Sequence, residues 1–309
     1  MNHTGTNPPP NPKTNAVAII PARYDSVRLP GKALLEIAGK PMVCWVVERA
    51  LAARNVSRAI VATDDQRIIE AVKSAGYEAV MTGAHHRSGT DRIAEVAAAL
   101  EDAAIIVNVQ GDEPLISPVT IERAVDALGE EGKEEGNGGK GEGGKGNTET
   151  KVASLGIVTT WEPMESAADV LNPDVVKIVV DQRERAIYFS RSPVPYPREA
   201  ARKYGSIEAA ILNEPGLLTT FRKHTGLYVY RRDVLLAFAN WPQSELERLE
   251  SLEQLRALEH GVEIKAIKAS ATSIGVDTIA DLERVRSLVS SSEFRVSSSL
   301  GQVETLSSA

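Results

Sequence analysis

An α/β fold with a mostly parallel central sheet and helices on both faces is predicted by three observations. Short, uniformly apolar runs alternate with amphipathic helical periods from Ala16 onward. The runs lack the in–out alternation of half-solvated strands, as strands buried on both faces do. The 309 residues, 42% hydrophobic and 25% charged, suit one large α/β domain or two smaller ones.

Residues 1–15 contain Pro8-Pro9-Pro10 and no apolar period, so they are expected to be a disordered lead-in. A strand over Ala16–Ile20 is followed by a helix over Met42–Ala53, a strand over Ala59–Thr63 and a helix over Gln66–Ala75. Then come a strand over Glu78–Met81, a helix over Asp91–Leu100, a strand over Ala104–Val109, and a helix that opens at Ser117-Pro118 and ends near Leu128. Residues 129–150 begin with a stretch holding nine of the chain's 23 glycines among Lys, Glu and Asn, which reads as a flexible surface insertion. A phosphate cradle there is disfavoured, because no strand enters it and no helix follows. The remainder is mixed α and β: strands over Val152–Thr160, Val175–Val180, Ala186–Phe189, Leu227–Tyr230 and Ile264–Ile267, one long amphipathic helix over Glu245–His260, and another over Asp277–Val289. Residues 16–290 are therefore assigned to a single domain, with a serine-rich tail over 291–309 expected to fray.

Composition excludes several classes. The 35 Lys and Arg against 42 Asp and Glu leave a net charge of −7, which argues against general nucleic-acid affinity. No apolar run approaches the roughly 18 residues of a membrane span. The single cysteine, Cys44, allows no internal disulfide and no thiolate zinc cluster, and fits a reducing compartment.

Candidate chemistry lies just after two strands. The segment Pro21–Lys32 places Arg23, Arg28 and Lys32 beyond the carboxyl end of the first strand, the edge where open α/β sheets bind ligands. Its spacing is not that of a Walker A loop, yet three cations on a turn stiffened by Pro21, Pro30 and Gly31 suit a triphosphate better than they suit a solvated turn. The fourth strand ends in Gln110-Gly111-Asp112-Glu113-Pro114, so an acidic pair emerges at the same edge. Carboxylates beside a triphosphate imply magnesium, which takes one or two carboxylates plus substrate phosphates. Pro114 and Pro118 delay the next helix, leaving Asp112 too early to cap it. Asp277 also follows an apolar run and precedes a helix, and for it a metal ligand and an N-cap are equally good readings. His85 and His86 are adjacent, which disfavours a shared metal and favours a loop. His224 and Tyr228 share one face of a strand, and Glu253-Gln254 falls opposite the leucine stripe, where a solvated face is the default.

In order along the chain, IIPARYDSVRLPGK, VATDD, HRSGTDR, VNVQGDEPLI, YFSRSPVPY, KHTGLYVYR, LEQLR and GVDT closely resemble the 3-deoxy-manno-octulosonate (Kdo) cytidylyltransferase family over roughly Ala16 to Val289. The resemblance implies a Rossmann-like nucleotidyltransferase fold with a smaller mixed α/β extension used for acceptor binding and dimerisation. It implies a cytoplasmic, magnesium-dependent homodimer that joins CTP and Kdo into CMP-Kdo and pyrophosphate for lipopolysaccharide synthesis, with no nucleic-acid or membrane partner. On this pattern Arg23, Arg28 and Lys32 bind the triphosphate, with Ser88 near the cytosine, and Arg28 and Lys32 offset charge on the leaving group. Asp112 and Asp277 hold the magnesium. Arg92, Gln110, His224, Tyr228, Glu253 and Gln254 line the acceptor pocket. An amino-substituted Kdo or a sialic acid is the alternative acceptor, and a non-catalytic nucleotide-binding regulator the alternative class. Retention of both Asp112 and Asp277 speaks against the regulator. The departures from the pattern are the lead-in, the glycine-rich insertion, the tail and Ala271–Ile274, none of which touches a matched residue.

Overall fold

The structure, a computed structural model, describes residues 16–25, 28–86, 88–134 (backbone alone from 130) and 155–291. The lead-in, the tail beyond Ser291 and the glycine-rich insertion from residue 135 on lie outside them. The first half runs β1 (Ala16–Pro21), β2 (Glu36–Ile37), β3 (Lys40–Pro41), α1 (Met42–Leu51), β4 (Val56–Thr63), α2 (Gln66–Ser74), β5 (Glu78–Met81), α3 (Gly89–Ala98), β6 (Ile105–Asn108) and α4 (Pro118–Glu134). The second runs β7 (Leu155–Pro163), α5 (Ala167–Leu171), β8 (Lys177–Val180), β9 (Ala186–Ser190), α6 (Arg198–Tyr204), α7 (Ile207–Asn213), β10 (Arg222–Arg231), α8 (Arg232–Asn240), α9 (Glu245–Glu250), α10 (Gln254–Glu259), β11 (Glu263–Lys268) and α11 (Ile279–Ser290).

The main sheet has the order β11-β7-β10-β6-β1-β4-β5. The pairs β1/β4, β1/β6, β4/β5 and β7/β11 are parallel, and β10 alone runs antiparallel to its neighbours β6 and β7. This reversal has a functional result. The other strands of that path end at one edge, and β10 begins there, so residues early in β10 join the loops that leave β1, β4, β6 and β7. The chain moves outward from β1 to β4 and β5, then returns to β6 on the other side of β1, which makes the β1/β6 boundary a topological switch point.

Both faces of the sheet are covered, as the uniformly apolar strands predict. Ala16, Ala18 and Ile20 of β1 share one core with Val43 and Val47 of α1, Ile68 and Val72 of α2, and Ile121 and Val125 of α4. Val17 and Ile19, pointing the other way, share a second core with Ile93 and Ala97 of α3, Leu235 and Phe238 of α8, and Leu255 of α10. The smaller extension is the hairpin β8/β9, hung from β10 through the Lys223–Lys177 pairing, together with an apolar cluster of Met164, Val170, Ile211 and Phe221.

Two helices differ from the sequence expectation. The helix that opens after Ser117 does not end near Leu128 but continues to Glu134, into the start of the glycine-rich segment, because Glu130, Glu131, Lys133 and Glu134 are good helix formers. The single helix expected over Glu245–His260 is two helices. Ser251 adopts a left-handed conformation at φ 51°, which closes α9 before α10 begins at Gln254. The break is held on both sides. The Glu250 carboxylate accepts from Ser190 Oγ at 2.7 Å and from the Arg191 amide at 2.9 Å, and Glu247 pairs with Arg256 at 3.0 Å, both of them buried. The leucine stripe is interrupted accordingly: Leu252 is buried, while Leu249 is 74% exposed.

A continuous helix would place Leu249 and Leu252 in one apolar stripe, and the broken one does not. Leu249→Lys is expected to change unfolding free energy by no more than about 0.5 kcal/mol. Leu252→Ala should cost about 2–5 kcal/mol in the same urea titration. Comparable losses for both would restore the single helix.

Candidate active site

The basic loop is built on Tyr24. Its carbonyl accepts from the Gly31 amide at 2.8 Å, and its ring lies beneath the Arg67 guanidinium, 3.2 Å from the ring centre. Gly31 turns the chain at φ 68°, where a Cβ would also press on the Tyr24 ring at 3.2 Å. The turn delivers Lys32 to the first position of a short 3-10 helix, Lys32–Leu34. Its ammonium lies between two carboxylates far apart in sequence, bonding Asp112 and sitting 3.2 Å from Asp277 Oδ1. Arg28, largely exposed, reaches the same Asp277 oxygen at 3.0 Å. Burial alone would lower the Lys32 pKa, but Asp112 and Asp277 outweigh it and hold the group above the ordinary lysine range.

Each acid has an identifiable placement. Asp112 follows β6 after Gly111, where a Cβ would stand 2.7 Å from the Pro21 carbonyl oxygen, so only glycine lets this loop cross the end of β1. Asp277 arrives on a segment tied to it by a Val276 amide bond to the Asp112 carbonyl at 2.9 Å. Leu29, Ile37, Met42 and Val276 pack with Leu282, Val285 and Val289 of α11 to clamp that segment against the basic loop. The choice left open for Asp277 is decided against capping. Thr278 caps α11 and forms a capping box with Asp281, which leaves the Asp277 side chain to Lys32 and Arg28.

Two carboxylates converging on one cationic atom form a donor set suited to magnesium, which completes its octahedron with phosphate oxygens and water. Among the described residues no group of three or more His, Cys, Asp or Glu is disposed to hold a metal without such help.

The side chains expected for the acceptor gather beside this cluster. His224 and Tyr228 of β10 lie with ring centres 5.4 Å apart, Tyr228 stacks on Tyr230, and Phe189 meets His224 edge-on at 5.0 Å. Gln110 joins them through the Gly226 carbonyl at 3.5 Å and Asn108 Oδ1 at 3.4 Å. Glu253 and Gln254 are not on a solvated face. The break between α9 and α10 turns them inward, where Gln254 is buried with an unpartnered Nε2 and Glu253 faces the hydroxyls of Ser88 and Thr90. Burial pushes the Glu253 carboxyl up, against the downward pull of those hydroxyls.

Three other residues are placed as follows. Arg23 donates to the His86 carbonyl at 2.9 Å and so links the basic loop to the turn before α3. Ser88, expected near a nucleobase, caps α3 by accepting from the Asp91 amide at 3.1 Å and stands near Glu253. Arg92 is completely buried, paired with Asp64 Oδ2 at 2.7 Å and with Thr82, so it backs the pocket through a fixed ion pair. His85 and His86 belong to a loop in which His86 pairs with Glu95.

Asp64, Thr159, Tyr230 and Glu162 are not singled out by sequence, and Glu113, read there only as one of an acidic pair with Asp112, is buried beside Glu162. Asp64 carried a signal, since it follows β4 at the active edge; the others sit inside strands or loops whose partners only the fold supplies. Glu113 shows the density of charge here: burial, then its neighbours Asp112 and Glu162, push its carboxyl up to about 7.

Residues 17–264 match the Cytidylyltransferase family model. The 3-deoxy-manno-octulosonate cytidylyltransferase of Geobacter metallireducens is 48% identical over 87% of this chain and 95% of its own. The chain belongs to the 3-deoxy-manno-octulosonate cytidylyltransferase family. The Escherichia coli relative of the same name is 42% identical over 89% of this chain and 96% of its own. A solved structure of CMP:2-keto-3-deoxy-manno-octonic acid synthetase complexed with CTP superposes with a TM-score of 0.73 at 41% identity, covering 89% of this chain and 98% of the other. The family thus spans the parallel sheet, the reversed strand and the extension together.

Desolvation lowers the His224 pKa from 6.5 to about 3. The unfolded chain therefore takes up a proton below about pH 6.5 that the folded state refuses, and stability falls as pH drops from there toward 3. His224→Gln should recover about 1–2 kcal/mol of that loss at pH 5 relative to its own effect at pH 8, read from urea midpoints. An identical pH dependence in both proteins would place a charged imidazole in the fold.

Proposed function

We propose that the protein transfers the cytidylyl group of CTP to Kdo, releasing pyrophosphate and CMP-Kdo for lipopolysaccharide synthesis. The observation that carries the proposal is the meeting of Asp112 and Asp277 at Lys32, on the switch-point edge, beside a second cluster of neutral and acidic hydrogen-bonding groups. The first cluster suits a polyphosphate and a cation, the second a polyhydroxylated acid.

Arg23, Arg28 and Lys32 bind the triphosphate through charge-assisted hydrogen bonds, and Ser88, behind the turn that Arg23 holds, borders the cytidine. Asp112 and Asp277 would hold magnesium, which supplies Lewis-acid polarisation of the phosphate under attack. Gln110, His224, Tyr228, Glu253 and Gln254 orient the sugar acid so that its anomeric hydroxyl faces the α-phosphorus in line with the departing pyrophosphate. Arg92, locked by Asp64, supports that wall. Lys32 and Arg28 offset the charge that grows on the leaving group, and the hydroxyl itself is the nucleophile, so no covalent enzyme intermediate is needed. Cytoplasmic location and assembly as a homodimer are part of the same proposal, with Ile187 and Tyr196 of the extension, both exposed in one chain, available to a second copy.

The test is pyrophosphate release from CTP on addition of Kdo and magnesium. Asp112→Asn and Asp277→Asn should each fold normally and lose about 100-fold or more in turnover. The double substitution should cost much less than the product of the two losses, as groups acting on one ion do. Near-normal turnover in Asp277→Asn would remove it from the site, and no release by the unaltered protein would overturn the function.

A further inference from the structure

The acceptor wall contains a hydrogen-bond relay whose direction is set by stoichiometry. Thr159 of β7 is fully buried, and its hydroxyl meets two groups: the Leu227 carbonyl oxygen at 2.9 Å and His224 Nε2 at 3.0 Å. A carbonyl can only accept. The single hydroxyl proton is therefore spent on Leu227, and the Thr159 oxygen must accept from His224 Nε2–H. The geometry arises from an irregularity in the β7/β10 ladder. The register slips between Thr225 and Tyr228, so that Gly226 and Leu227 bulge out of the pairing and the Leu227 carbonyl is presented to Thr159.

With Nε2 carrying a proton, the other ring nitrogen is decided as well. The imidazole is enclosed by Phe189 and Tyr228, and desolvation keeps it uncharged at neutral pH. A neutral ring protonated on Nε2 has a bare lone pair on Nδ1. Among the described residues no side-chain or backbone donor is bonded to that nitrogen, and it is not one of the buried atoms cut off from solvent.

We infer that Thr159 is a positioning residue that holds His224 as its Nε2–H tautomer, so that Nδ1 accepts a hydrogen bond from a hydroxyl of the sugar acid and cannot receive its carboxylate. This deepens the proposed function and rests on its placement of the acceptor beside His224. The assignment makes Thr159 a determinant of which way the acceptor lies. The hydroxyl-bearing part of the sugar faces β10, and the carboxylate is left to face elsewhere in the site.

The experiment combines two readouts. Long-range proton–nitrogen NMR of protein labelled at its histidines, with the His224 signals identified by their loss in His224→Gln, reports which ring nitrogen carries the proton. Steady-state kinetics with Kdo and CTP varied separately report where the energy is used. The unaltered protein is expected to show the Nε2–H pattern at His224. Thr159→Val, nearly isosteric but without the hydroxyl, should lose that pattern and raise KM for Kdo by about three- to tenfold, with KM for CTP unchanged. Thr159→Ser should restore both. A proton on Nδ1 in the unaltered protein, or an unchanged pattern in Thr159→Val, overturns the assignment whatever the activity. A lost pattern with unchanged KM for Kdo overturns its role in acceptor binding. Equal losses for both substrates that serine does not rescue would make Thr159 a packing residue only. Pyrophosphate release by the unaltered protein tests the proposed function, and the NMR pattern tests the tautomer, so the two can fail separately.

Discussion

One ammonium group organises the centre of this protein. Lys32 Nζ draws together a carboxylate from the loop after β6 and another from the segment before α11, and without a cation between them Asp112 and Asp277 would repel. Much of the surrounding structure serves that meeting. Tyr24 and Gly31 aim the lysine, Gly111 lets the acidic loop pass over the end of β1, and the apolar clamp of α11 brings in the second acid. The same arrangement is self-consistent without ligand, because the basic loop is neutralised by the two carboxylates it faces.

The second organising constraint is the direction of β10. A strand parallel to its neighbours would deliver its end to the active edge and send His224 to the opposite side of the molecule. Running backward, β10 starts at that edge and sets His224, Gly226 and Tyr228 beside Gln110 and the β7 hydroxyls. The charged cluster and the aromatic one therefore come from adjoining strands of one continuous sheet, and the register that pairs Tyr228 with Asn108 also fixes the separation between them.

The architecture was largely legible in the sequence because it is written in local signals. Uniformly apolar runs such as Ala16–Ile20 mark strands covered on both faces, and the charged loops that follow them mark the edge. Arg28, Lys32 and Asp112 could be placed on one edge from strand ends alone. What stayed hidden depends on partners distant in the chain. Whether Asp277 caps a helix or faces the site turns on one neighbour, since Thr278 is the better-positioned cap. The leucine period across Glu245–His260 is genuinely helical, yet a single left-handed serine at Ser251 divides it, and that conformation is stabilised by Glu250 bonding residues some sixty positions earlier. Thr159 left no mark at all, because a threonine in a strand is ordinary until a bulge in the adjacent strand presents it with a carbonyl.

The clamp made by α11 also bears on the order in which the protein acquires chemistry during synthesis. The basic loop and Asp112 lie in the first half of the chain and belong to the β1/β6 unit, whereas Asp277 enters only with the segment that precedes the last described helix. A nascent chain therefore presents a basic loop with one carboxylate long before the second exists. Since Val276 and α11 also seal the apolar underside of the basic loop, the event that completes the acid pair is the event that closes this part of the core. Assembly of this charge cluster and final folding of this region are thereby coupled, and an incompletely made chain is left without the second acid.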